Sequence, residues 1–183
     1  NQRSVTEIFS MLYQVAAMVG QETLGLQKIA QMQSQIQNIK NQVQALTDAG
    51  AKRPKVFFEE WDVPHISAIA WVSELLGIAG GDDCFPELAK EPLGKNRIIS
   101  NSQTIIDRNP DIIIGSWCGK KFRPDHVAAR QGWQEVAAVK NQQLFEVKSS
   151  YILQPGPAAL TDGLQQLHSI IEQWMKNQLK TIE

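Results

Sequence analysis

The run PDIIIGSWCGKKF, residues 110–122, changes character at its midpoint. Its branched residues, bracketed by Pro110 and Gly115, read as a strand over Asp111–Ile114 that is buried on both faces. The chain then turns through Ser116, Trp117, Cys118 and Gly119 into Lys120 and Lys121. Gly115 and Gly119 are expected to bend it as it leaves the sheet. A buried strand that ends on an indole, a thiol and paired cations points to a binding site rather than an ordinary turn.

Working outward, strand and helix signals alternate. Lys55–Glu59 (KVFFE), Arg97–Ile99 and Leu144–Lys148 read as strands. Ile66–Ile78, stopped by Gly80 and Gly81, reads as a helix, as do Gln103–Arg108 and Pro124–Arg130. Asn109-Pro110 ends the second of these, because the residue before proline is pushed out of the helical region. A last helix starts near Pro157, with Leu160, Leu164, Leu167, Ile171 and Trp174 on one face. The pattern predicts an α/β fold, a mainly parallel sheet with helices on both faces.

Residues 4–48 are helical with a break near Gly20. Ser4 and Glu7 have capping-box spacing, followed by Ile8, Met11, Leu12, Val15 and Val19 at helical intervals. The second helix, about Glu22 to Leu46, carries Ile29, Met32, Ile36, Ile39, Val43 and Leu46 as a narrow heptad-like stripe on a glutamine-rich rod. Such a stripe fits either a helix lying across its own lobe or a self-associating coiled-coil module. Asp48–Pro54 (DAGAKRP) is a connector.

The chain of 183 residues suits one domain with an extra arm. A net charge of −1, from 18 Lys+Arg against 19 Asp+Glu, argues against nucleic acid as a partner, since phosphate binding needs a basic surface. No apolar run has the length of a membrane-crossing helix. The start, Asn1, reads as processed or truncated. Two cysteines, Cys84 and Cys118, lack C-x-x-C spacing; they fit one disulfide in an exported protein or two free thiols in a cytosolic one.

In parallel sheets, ligands lie beyond the carboxyl ends of the strands. Three predicted ends are chemically loaded: Glu60-Trp61-Asp62, Ser116 through Lys121, and Ser149-Ser150-Tyr151. An aromatic at each mouth suits a large, flat or partly apolar ligand, which makes Trp61, Asp62, Trp117 and Tyr151 candidate contacts. Arg123 is a further candidate, for an anionic ligand group, while Lys120 and Lys121 read as a solvated rim. Trp71, Trp133 and Trp174 fall on apolar faces and read as core. Glu59, Glu60, Asp62 and His65 are the one cluster with hard-metal character, but adjacent strand residues point to opposite faces, so no metal site is expected. His65, His126 and His168 are scattered. Without a G-x-S-x-G elbow, a P-loop or a G-x-G-x-x-G turn, no enzyme is expected.

Five segments in order carry a resemblance: RPKVFFEEW, ELLGIAGGDDCF, NPDIIIGSW, GWQEVAAVKNQQLFEV and LQPGPAALTDGLQQL. Together they resemble the C-terminal lobe of ABC-transporter substrate-binding proteins of the helical-backbone class, which handle cobalamin, ferric siderophores and haem. The resemblance covers residues 22–180 and implies two α/β lobes joined by one stiff helix, with the ligand in the cleft between them. Residues 1–49 would then be the end of an N-terminal lobe and the long linker helix, and residues 50–183 the C-terminal lobe. A stiff joint implies small lobe closure. It implies a metal-chelate ligand, no cofactor, an ABC permease in the membrane as partner, and an exported, periplasmic or lipid-anchored location. In that oxidising compartment a disulfide between Cys84 and Cys118 is expected. Family lobes commonly show the permease a glutamate at the start of the helix before the NPD strand; uncharged Gln103 holds that position here. Apolar surface on residues 5–19, meant for the other lobe, would favour self-association.

Overall fold

The structure, a computed structural model, describes residues 2–180. In chain order its elements are α1 (Val5–Met18), α2 (Glu22–Asp48), β1 (Lys55–Trp61), β2 (Ile66–Ser67), α3 (Ala70–Ala79), β3 (Asp82–Asp83) and α4 (Pro86–Ala89). A 3-10 turn at Gly94–Arg97 leads to α5 (Gln103–Arg108), β4 (Ile112–Gly115) and α6 (Pro124–Ala128). A second 3-10 turn, Trp133–Glu135, precedes α7 (Ala137–Lys140), β5 (Leu144–Glu146) and α8 (Ser149–Ile152). A π-helical stretch, Ala159–Gly163, opens into α9 (Leu164–Lys180).

The sheet runs β2-β1-β4-β5, with β3 also on β1. β1, β4 and β5 are parallel, in register Val56–Ile112 and Ile113–Leu144, while β2 is antiparallel. Period-two alternation divides the core. Val56, Phe58, Ile112 and Ile114 face α2, α3 and α9. Phe57 and Ile113 face the opposite layer with Phe85, Ile105, Trp133 and Val136. Both layers are closed by helices, so the strands read as continuous apolar runs.

The rod is part of this packing. Ile29, Met32, Ile36, Ile39 and Val43 are buried in the first layer, and Leu46 is packed against it. Each fully buried side chain of this size contributes about 1.5–3 kcal/mol relative to exposure, which fixes α2 along its own sheet. The stripe is therefore covered by α3 and α9 of its own chain and leaves no coiled-coil seam. The buried His168 ring reinforces the contact, with Gln42 Oε1 at 2.9 Å and the Ala79 carbonyl at 3.3 Å. At α1, the Glu7 amide donates to Ser4 Oγ at 3.1 Å, as the cap predicts, while the Glu7 carboxylate accepts from the Arg3 amide at 2.5 Å.

Three local expectations are corrected. Ile66 and Ser67 are not helical: they pair back on Trp61 and Glu59, and the helix begins at Ala70. Arg97–Ile99 is no strand; a 3-10 turn and a single Ile66–Ile98 bridge stand there, because the buried Arg97 side chain turns inward to Glu60. Gly115 lies within β4, and its missing Cβ leaves room for a ring: a Cβ there would fall 1.9 Å from Phe122 Cδ2. Gly119, with φ +69°, does make the bend.

Candidate ligand-binding site

Because β1, β4 and β5 run parallel, their carboxyl ends emerge together. The loop after β4 and the segment after β5 enclose an open cavity of about 670 Å³. Trp117, Gly119, Lys120 and Lys121 line one side, and Glu146, Lys148, Ser149 and Ser150 the other. A cavity of this size falls within the range that holds small-molecule ligands.

The loop is held by carboxylates from β1. Glu59 shares the face of Phe57 and is fully buried, a placement that costs several kcal/mol unless partners satisfy it. Arg130 donates to both of its oxygens, at 2.8 and 3.1 Å. Trp117 Nε1 donates to Oε2 at 3.1 Å, and His65 Nδ1 lies 2.8 Å from Oε1. The rings stack around this centre: the Arg130 guanidinium lies 4.5 Å from the Trp133 ring, and Trp117 meets Phe122 edge-on at 5.0 Å.

A second carboxylate, Asp62, holds Lys120 at 2.5 Å. Burial raises the Asp62 pKa, but the hydrogen bond and charge of Lys120 outweigh it and leave the carboxyl below its ordinary range. Lys120 Nζ also lies 5.1 Å from the Trp117 ring and 5.8 Å from that of Trp61. The Phe122 amide donates to Glu146 Oε1 at 3.1 Å, closing the loop onto β5.

The predicted contacts divide. Trp117 lines the cavity but is not held out to it: 4% exposed, it is an anchor for the loop. Trp61 is half-buried, with Nε1 donating to the Val63 carbonyl at 2.9 Å. Asp62 reaches the cavity only through Lys120. Tyr151 is exposed on α8, next to the lining residues Ser149 and Ser150 but not itself in the lining, and Arg123 turns out to Asp125 at 3.1 Å. Glu59 and Glu60 do point apart, Glu60 pairing with Arg97 at 2.6 Å. The expected disulfide is not made: both thiols are free, Cys84 buried and Cys118 exposed. Gln103 is exposed at the start of α5, with its side-chain Nε2 donating to Asp107 Oδ1 at 2.8 Å.

Sequence reasoning missed Arg130 and Lys148. The signal for Arg130 was available: parity with Phe57 buries Glu59, and a buried carboxylate requires a cation. Nothing local marks Lys148, which joins Lys121 only through the parallel pairing of β4 and β5.

A profile of the family described as periplasmic binding protein matches residues 1–151. An uncharacterized ABC transporter substrate-binding lipoprotein of Bacillus subtilis is 24% identical over 168 residues, covering 90% of this chain and 50% of that protein. A possible iron-binding, periplasmic solute-binding protein of Staphylococcus epidermidis superposes with TM-score 0.76 at 22% identity, over 93% of this chain and 64% of the other. The periplasmic vitamin B12 binding protein of Vibrio cholerae superposes with TM-score 0.68 at 18% identity, over 94% and 63%. The chain thus spans about half the length of the curated relative it matches.

Proposed function

Because this chain belongs to the periplasmic binding protein family, we propose that it forms one lobe, with the joining helix, of a binding protein that delivers a cobalamin-, siderophore- or haem-like metal chelate to an ABC permease. The observation that carries the reading is the cavity of about 670 Å³ at the shared carboxyl ends of β4 and β5, bounded by an anchored indole and polar side chains. Names of the similar proteins, which include iron and vitamin B12 binding, support the ligand class. The lipoprotein relative supports an exported location.

In this reading α1 closes a first lobe, α2 is the joint, and residues 50–183 are the second lobe. Exposed Val15, Met18, Val19, Leu24 and Leu26 at the α1–α2 corner support it, as apolar surface suited to a covering lobe. Titrating cyanocobalamin, a ferric trihydroxamate and haemin into the chain, followed by tryptophan fluorescence, tests the proposal. Saturable quenching by one of them, with the others weaker, is expected; no response to any of them up to millimolar concentration overturns the ligand class.

A further inference from the structure

Resting on that reading, we propose that the cavity after β4 and β5 selects an anionic chelate, with Lys121 and Lys148 as the residues that recognise its oxygen-borne charge. The lining holds three lysines, Lys120, Lys121 and Lys148, against the single carboxylate of Glu146. These cations are not equivalent. Lys120 is committed to Asp62 and to the flanking indoles. Lys121 and Lys148 are exposed, and the described ion pairs use neither of them.

Glu146 offers one negative charge against the two of them, and its Oε1 is engaged by the Phe122 amide. Asp62 is spent on Lys120, and Glu59 is fully buried and held by Arg130, Trp117 and His65. With Lys120 paired to Asp62, the cavity keeps a surplus of one positive charge over Glu146, carried by lysines from two different strand ends, in a chain whose net charge is −1. The hydroxyls of Ser149 and Ser150 stand beside Lys148 and supply donors to the same oxygens. A neutral ligand would leave that surplus without a counter-charge, whereas oxygens of an anionic one meet the two ammonium groups from either side. The arrangement is open enough for free rotation of both lysines, so selection acts through charge rather than through a rigid fork.

The test uses diamagnetic gallium(III) chelates and backbone amide shifts of Gly119–Lys121 and Lys148–Ser150 in the whole chain. A trianionic gallium tris(catecholate) is compared with an uncharged gallium trihydroxamate. The anionic chelate is expected to saturate these shifts at about tenfold lower concentration in low salt, with the preference shrinking as salt is raised. Lys121→Gln with Lys148→Gln should abolish the preference while leaving the response to the neutral chelate in place. Equal binding of the two chelates, or a preference that survives the double substitution, overturns the proposal. Inorganic phosphate is the third arm. If it shifts these amides in a lysine-dependent way while neither chelate does, the anion site stands and the chelate reading fails. If none of the three shifts them, the anion site itself is refuted.

Discussion

Glu59 shows how one fully buried side chain can organise the loop that lines a cavity. It is fully buried, and its stability rests on the two hydrogen bonds from Arg130, which reaches it from beyond α6. Arg130→Ala leaves that carboxylate with its charge in a desolvated site, and a cost of about 3–5 kcal/mol is expected in urea unfolding. Replacing Glu59 and Arg130 together with apolar residues should recover much of that loss, because no charge is then stranded. The two thiols give a second prediction at this scale. Burial pushes Cys84 up to about 12, with the Asp83 charge adding to it, while Cys118 is exposed. A thiol reagent at neutral pH should therefore modify Cys118 alone in the native chain, and both residues once it is unfolded. A native chain with no reactive thiol would show that the two are joined.

Among the elements, β4 and its exit loop carry the most information per residue. The triple isoleucine made the strand legible, since only a sheet covered on both faces buries three successive side chains. The role of Gly115 was not legible, because Phe122 packs onto it from seven residues later. Gly115→Ala would drive a Cβ into that ring, and a loss of about 1–3 kcal/mol is expected, with displaced Trp117 fluorescence as the local readout. The rod shows the same divide. Its stripe could be read from spacing, but the surface that covers it, α3 and α9, is formed by residues far along the chain. Ile66 and Ser67 failed in the opposite direction. Apolar periodicity suited a helix, and pairing with Glu59 and Trp61, a tertiary choice, overrode it. Trp61 and Trp117 do lie at strand ends, whereas Tyr151 falls on α8, and the exposure of the two indoles depends on partners such as Glu59 that spacing does not reveal.

At the scale of the whole molecule, exposed large apolar side chains gather at one corner, with Val63, Leu93 and Tyr151 as scattered others. Met18 is 86% exposed and Val19 65%, just where α1 gives way to α2. They make no contribution to the core of this chain, so Met18→Lys with Val19→Lys should change its unfolding free energy by no more than about 0.5 kcal/mol. A larger loss, measured in urea, would mean that the corner is packed in solution and is not a free face.

The clamping of α2 has a mechanical consequence. From Ile29 to Val43 the helix is glued to α3 and α9, and nearer its start Gly25 lies so close to α1 that a Cβ there would fall 2.3 Å from the Ala16 Cβ. α1 is tied to the same body, by Ile8 in the shared core and by the Val5 amide, which donates to Glu74 Oε2 at 2.9 Å. Gly20, at φ +67° with open space around it, only turns the chain between the two helices. A push on α1 is therefore carried through these contacts to the sheet and its cavity, which turn with both helices as one stiff unit.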